Sequence, residues 1–255
     1  MFGKKKVASL VAEFLGTGVL TLLIFSVQRS QLGLQYFVAL AAGLAVAVLT
    51  FTFAEASGAQ FNPALTLGLF LARKVPFLRA VAYMIAQFAG AFAAYGVYRY
   101  YSGTHLSSVG GHYSGKILIA EAVGTGVFAL AYTSALYKSY NVSSRAIFTG
   151  VAYATSILIA SSAAIGILNP AVAAGLRAWV LTTYVLGPVI GAIIGVALYT
   201  VLFADTSVTE VVELETVTVA TTSKRSATTR AKATTAKRAT AKKAAPKRRT
   251  TSRKR

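Results

Sequence analysis

"SGAQFNPALTLGLF", residues 57–70, places Asn62, Pro63 and Ala64 ahead of a short apolar stretch. "GILNPAVAAGLRAWV", residues 166–180, repeats the arrangement in the second half of the chain with Asn169, Pro170 and Ala171. Asn is a strong helix N-cap, because its side-chain oxygen accepts from backbone N–H groups of the first turn. Pro suits the first helical position, where its missing N–H would have had no intrahelical partner. Each triplet therefore reads as a helix start. The helices so begun, residues 63–73 and 170–180, would extend only about 16 Å, roughly half of a ~30 Å hydrocarbon layer.

That comparison is apt because the composition is that of a membrane protein. Of 255 residues, 55% are hydrophobic and 13% charged, with mean hydropathy +0.61; a soluble domain carries about 25% charge. No cysteine is present, which excludes disulfides, thiolate metal sites and a cysteine nucleophile. Six apolar runs approach the ~20 residues needed to span a bilayer: residues 7–27, 36–54, 77–100, 117–137, 146–164 and 181–204. The first is too long for a signal-peptide core and contains Glu13, so it reads as a spanning helix.

Basic residues set the orientation. With the N-terminus in the cytoplasm, the inner side receives Lys4, Lys5, Lys6, Arg73, Lys74, Arg79, Lys138 and Arg145, and the outer side Arg29, Arg99, Lys116 and Arg177. Both termini are expected inside.

A second repeat lies beside the first. "AEFLGTGV" (12–19) and "AEAVGTGV" (120–127) align at an offset one greater than that of the two triplets. Two landmarks at nearly one offset indicate a duplicated half, about residues 7–101 and 116–204, each with three spans and one triplet. Three is odd, so the second half starts from the opposite face and the halves are inverted. One half-helix then enters from each side and the two meet near the midplane, where non-helical backbone is tolerated only inside protein or along a water-filled cavity. With its oxygen capping, each Asn keeps an amide NH2 with two donors for that cavity. The paired positive dipole ends repel cations and leave neutral solutes free to accept hydrogen bonds.

One Asn-Pro-Ala is weak evidence, since Asn-Pro is an ordinary turn opener. Together with "AEFLGTG", "SGAQFNPALT", "AEAVGTG", "LNPA" and "YVLGPVIGA", in that order, the chain resembles the aquaporin and glycerol-facilitator (major intrinsic protein) family over about residues 7–204. The resemblance implies an all-α membrane fold of six tilted helices and two re-entrant half-helices. It also implies one pore per subunit, a homotetramer, and no metal or organic cofactor. Asn62, Pro63, Ala64, Asn169, Pro170 and Ala171 would form the pore constriction. Glu13 and Glu121, at equivalent places in the two halves, would be buried scaffold carboxylates that accept from the re-entrant loops. The outer filter would be Ala42, Ile157, Gly166 and Val172. Here the chain departs from the common pattern, which has Arg where Val172 stands; Ile157 and Val172 are similar to the filter of some plant vacuolar aquaporins that pass ammonia or urea besides water. On a continuous helix, Arg177 would be rotated about 140° and displaced ~7.5 Å from Val172, too far to replace that Arg.

Several residues keep two readings. Glu55, before the first triplet, is either a vestibule residue or a solvated helix end. The glycines Gly16, Gly18, Gly43, Gly90, Gly96, Gly124, Gly126, Gly187, Gly191 and Gly195 read mainly as close-packing positions. His105 and His112, in "SGTHLSSVGGHYSG", have no metal-site spacing and read as loop residues or as a pore mouth. Residues 205–222 read as a linker. Residues 223–255 hold 14 Lys and Arg and no acidic residue. They cannot bury a core, and are expected to be a disordered cytoplasmic tail able to contact anionic lipid or nucleic acid.

The expected function is passive passage of water across the cell membrane, with small neutral solutes such as ammonia, glycerol or urea as further candidates. Its alternatives are an inverted-repeat transporter or a membrane tether acting through its tail. An enzyme is not expected, for want of a nucleophile–base pair or metal cluster.

Overall fold

The structure is a computed structural model that describes residues 3–29, 35–105 and 112–204. The expected linker (205–222) and basic tail (223–255) lie outside the described residues. The elements are helical throughout the described chain: α1 (Lys4–Arg29), α2 (Gln35–Ser57), the short α3 (Pro63–Leu71), α4 (Phe77–Ser102), α5 (Gly115–Tyr137), α6 (Val142–Ala160), the short α7 (Pro170–Gly175) and α8 (Gly187–Leu198). π-helical turns at Thr182–Leu186 and Tyr199–Phe203 extend α8 on both sides. Pro188, which lacks an N–H, sits just after the first of them and accounts for the break in its hydrogen-bond ladder. Among the described residues, six helices, α8 counted with its π turns, are long and apolar enough to cross a membrane. The fold is the expected one: six spans and two half-helices.

Two boundaries differ from expectation. α6 begins at Val142, a full turn before the expected start, because Asn141 caps it, its Oδ1 accepting from the Ser144 amide at 2.9 Å. Arg145 is therefore inside the helix, in its first turn, and not in a loop. The half-helices are also shorter than residues 63–73 and 170–180. α3 stops where Arg73 turns left-handed (φ 60°) and the Lys74 amide bonds back to the Leu69 carbonyl at 2.8 Å. α7 stops likewise at Arg177 (φ 59°), with the Ala178 amide on the Ala173 carbonyl at 2.9 Å. This six-to-one closure is the Schellman pattern, here built without glycine. Arg177 thus lies beyond the helix, and the rotation expected for it on a continuous helix does not apply.

The packing repeats as the sequence does. α1 lies against α4 and α5 against α8, while α2 of the first half meets α6 of the second. Gly43 and Gly150, separated by the same interval of sequence as the two asparagines, face each other at that crossing. A Cβ added to Gly43 would stand 2.7 Å from the Gly150 oxygen, and one added to Gly150 would stand 2.6 Å from the Gly43 oxygen. Equivalent residues meet only on a symmetry axis, so the pseudo-two-fold passes between these glycines. In the other contacts, a Cβ at Gly90 would strike the Phe14 carbonyl and one at Gly191 the Ala122 carbonyl.

Gly90→Val and Gly191→Val are each expected to destabilise the protein by about 1–3 kcal/mol or more through overpacking against backbone. Gly96, where an added Cβ meets nothing within 4 Å, is the contrast: Gly96→Ala should be neutral or stabilising, since Ala is the better helix former. Thermal unfolding of the purified variants in detergent checks the order.

Candidate pore site

The two half-helices begin on the same device. Asn62 Oδ1 accepts from the Ala64 amide at 2.9 Å and the Leu65 amide at 3.4 Å. Asn169 Oδ1 accepts from Ala171 at 3.0 Å and Val172 at 3.4 Å. Pro63 and Pro170 occupy the first helical positions. The carboxamide nitrogens do something the sequence does not announce. Asn62 Nδ2 donates at 2.9 Å to the carbonyl of Leu168, the residue before Asn169. Asn169 Nδ2 donates at 2.7 Å to the carbonyl of Phe61, the residue before Asn62. The re-entrant loops are therefore cross-bonded tip to tip. Each amide spends one N–H on the opposite loop, which leaves one of the expected two donors.

The loops that present these tips are strained alike. Ala59 (φ 59°) and Phe61 (φ 50°) are left-handed in the first, as are Gly166 (φ 73°) and Leu168 (φ 57°) in the second. Only Gly takes that conformation freely; for the others it costs of order 1–3 kcal/mol each and must be held from outside. Two buried carboxylates hold it. Glu13 accepts from the amides of Gln60 (3.0 Å) and Phe61 (2.7 Å) and from Gln87 Nε2 (2.8 Å), which also donates to Thr66 Oγ1 at 3.0 Å. Glu121 accepts from three successive amides, Gly166 (3.1 Å), Ile167 (3.0 Å) and Leu168 (2.7 Å). Both carboxylates are 0% exposed. Room for the loops comes from the "GTG" motifs. Phe61 packs its ring onto Gly16, and Leu168 lies where a Cβ on Gly124 would be 2.7 Å away. Gly16 therefore seats a loop side chain, and Gly124 seats one while also packing against Ser156 and Ala160 of α6.

Beside the paired asparagines is a cavity of ≈ 10 Å³ lined by Leu20, Val46, Phe128, Tyr132, Thr149 and Tyr153, with Ala59–Asn62 and Asn169. That is near the least volume able to hold one water. Most of the wall is apolar. Gln60 Oε1 is buried without a hydrogen-bond partner among the described residues.

The expected outer-filter residues are all buried: Ala42, Ile157 and Val172 belong to one apolar core, and Gly166 abuts Ile157. A Cβ on Gly166 would stand 2.9 Å from the Ile157 oxygen. Ala64 and Ala171 are fully buried in the first turns of their half-helices. Glu55 is exposed and lines a separate polar depression of ≈ 340 Å³ with Lys5, Lys6, Ser9, Arg79 and Tyr83. His105 Nε2 lies 3.1 Å from Arg99 Nη2, and no metal-competent cluster occurs among the described residues. Sequence reasoning missed Gln87 and Tyr132, and it left Arg145 as a topology charge. For Arg145 a signal existed, since residues 145, 149, 153 and 157 are spaced by four and lie along one face of α6.

Glu121→Gln is expected to lose the clamp, because the amide presents N–H groups to backbone N–H groups. Hydrogen bonds to a charged acceptor are worth about 1.5–3 kcal/mol each, so several degrees of melting temperature should go, with Glu13→Gln losing less because Gln87 can re-pair. Thermal unfolding in detergent reads this directly.

With this geometry in hand, comparison with known proteins is specific. The family described as Major intrinsic protein matches residues 3–199. Probable aquaporin PIP1-4 of Arabidopsis thaliana is 36% identical over 145 residues, 52% of this chain and 50% of that protein. Aquaporin PIP-type of Atriplex canescens is 45% identical over 94 residues, 34% of this chain and 33% of that protein. The chain thus spans half or less of the length of these plant relatives. Glycerol uptake facilitator protein-like 6 of Lactiplantibacillus plantarum is 30% identical over 203 residues, 72% of this chain and 93% of that protein. Among solved structures, the aquaglyceroporin from Plasmodium falciparum superposes with a TM-score of 0.65 at 21% identity, covering 82% of this chain and 99% of that one; this likeness concerns the fold. A family match across both repeats, and a facilitator aligned over nearly its whole length, place this multi-pass membrane protein in the major intrinsic protein family.

Proposed function

We propose that the protein is a passive channel for water and small neutral solutes, with its midplane constriction at Asn62 and Asn169. The observation that supports this most directly is the reciprocal bonding of the two asparagines. Each caps its own half-helix, donates once across to the other loop, and keeps one N–H beside a narrow, largely apolar cavity. A solute that sheds its hydration shell there must have lone pairs to accept that donor. A cation meets two helix N-termini instead, and is repelled. The carboxylates argue against a transporter. Glu13 and Glu121 are each committed to three donors, and Glu55, the only other carboxylate before residue 205, is exposed. None stands in the cavity to couple an ion.

The outer filter of this channel is Ala42, Ile157, Gly166 and Val172, and it lacks a fixed guanidinium. That composition supports a pore wider and less water-selective than one with Arg at position 172, and ammonia, urea and glycerol are the solutes to test. The channel assembles as a homotetramer, sits in the cell membrane with both termini in the cytoplasm, and takes no cofactor. Its basic tail is dispensable for permeation and contacts anionic lipid or nucleic acid.

Stopped-flow light scattering on reconstituted vesicles is expected to give water flux above that of empty vesicles, with urea or glycerol flux besides. Val172→Arg should lower solute flux several-fold more than water flux. A wild type that passes water alone, together with an inert Val172→Arg, would remove the filter assignment. Protease added to intact, right-side-out cells should leave residues 223–255 uncut, and cleavage there would reverse the topology.

A further inference from the structure

Four residues of α6 follow one another along the helix at intervals of about one turn: Arg145, Thr149, Tyr153 and Ile157. Thr149 and Tyr153 line the cavity beside the asparagines, and Ile157 belongs to the outer filter proposed above. Arg145 is therefore the next residue of the row toward the α6 N-terminus, the cytoplasmic end on the proposed topology.

Its side chain crosses from α6 to the first re-entrant loop. Arg145 Nη2 donates to the Gly58 carbonyl oxygen and to the Tyr132 hydroxyl at 2.9 Å. Tyr132 donates to that same Gly58 oxygen at 2.6 Å, and the guanidinium carbon lies 5.4 Å from the Tyr132 ring centre. Three elements, α5, α6 and the loop, are thus tied at one point. Gly58 (φ +95°) and Ala59 turn the loop so that its carbonyl meets both donors. Two buried polar atoms at this end have no hydrogen-bond partner among the described residues: Arg145 Nε, a donor, and Gln60 Oε1, an acceptor. Gln60 and Tyr132 both line the cavity, so the tie lies at its inner margin.

The pseudo-two-fold sharpens the point. The same sequence interval that relates Asn62 to Asn169 carries the outer set Ala42, Ile157 and Gly166 onto Thr149, Thr50 and Ala59. Thr149 Oγ1 lies 3.4 Å from Thr50 Oγ1, so this second set also converges. The same shift pairs Arg145 with Val38: a cation stands at one mouth and an isopropyl group at the other.

We propose that Arg145, seated on Gly58 and Tyr132, forms a second selectivity filter at the inner end of the pathway. It supplies there the fixed positive charge that the outer filter lacks. The inference rests on the channel reading and adds to it the residue that sets solute size and excludes cations. Its guanidinium, held on Gly58 and Tyr132, narrows the opening and keeps a fixed positive charge beside it. A cation faces the guanidinium without a carboxylate in the contact to screen it.

The test compares wild type, Arg145→Ala, Arg145→Lys and Tyr132→Phe in reconstituted vesicles, with yield and elution profile checked for each. Water, urea and glycerol fluxes are measured by light scattering, and sodium or methylammonium leak by a potential-sensitive dye. Arg145→Ala should raise the urea-to-water and glycerol-to-water flux ratios by about tenfold, the change expected when a barrier loses roughly one charge-assisted hydrogen bond, and should admit a cation leak. Arg145→Lys should keep cations out yet raise the solute ratios, because an ammonium lacks the planar fork. Tyr132→Phe, which removes the hydroxyl but keeps the ring, should shift the ratios in the same direction by less. If Arg145 only staples the loop in place, Arg145→Ala will lower water and solute fluxes together with unchanged ratios, and that result overturns the filter. A wild type that conducts water while Arg145→Ala keeps its ratios and its cation exclusion overturns the filter and leaves the channel intact. Wild type and variants that all pass nothing overturn the channel reading, and the filter with it.

Discussion

A chain that leaves a helix halfway through a bilayer exposes N–H groups where no lipid can accept from them. Five such groups, on Gln60, Phe61, Gly166, Ile167 and Leu168, are met by two carboxylates, Glu13 and Glu121. Burying a carboxylate costs several kcal/mol, and three donors on each offset that cost. The gain is positional. With the loop amides fixed, Phe61 and Leu168 can hold left-handed backbone, and their carbonyls turn to meet the opposite asparagine. Everything proposed for permeation depends on this geometry, because the asparagine amides are only as well aimed as the loops behind them.

The two halves agree at the paired asparagines and differ in the groups around them. Asparagine caps, prolines, clamping glutamates and the glycine crossing of α2 with α6 all recur at nearly one offset along the chain. The supporting groups do not. Glu13 takes its third donor from a side chain, Gln87, where Glu121 takes a backbone amide. Thr125 Oγ1 reaches the Leu168 carbonyl at 3.3 Å, while its counterpart Thr17 Oγ1 has no partner among the described residues. α3 has nine residues and α7 six, so the second re-entrant segment turns away sooner. An inverted repeat forces the midplane to be nearly symmetric, since both halves build it together. The two ends are built by different segments and are free to diverge, and Arg145 on α6 against Val38 on α2 is the plainest such divergence.

The sequence alone determined the spans, the inversion, the two half-helix starts and the equivalence of Glu13 with Glu121. Each of these is a local signal: an apolar run of fixed length, an odd number of crossings, a capping residue before proline, a motif recurring at one offset. Local chemistry also gave the Asn caps, because a cap bonds amides two and three residues away. What it could not give was any bond between segments distant along the chain. The spending of one asparagine N–H on the other loop joins residues 106 and 108 apart. The α7 end at Arg177 needs a left-handed residue that no glycine announces. Arg145 counted as a loop charge until Asn141 proved to start α6 ahead of it, and its partners Gly58 and Tyr132 lie on two other elements. A side chain's reach is a few ångströms of space, and only the packed helices decide which residues occupy that space.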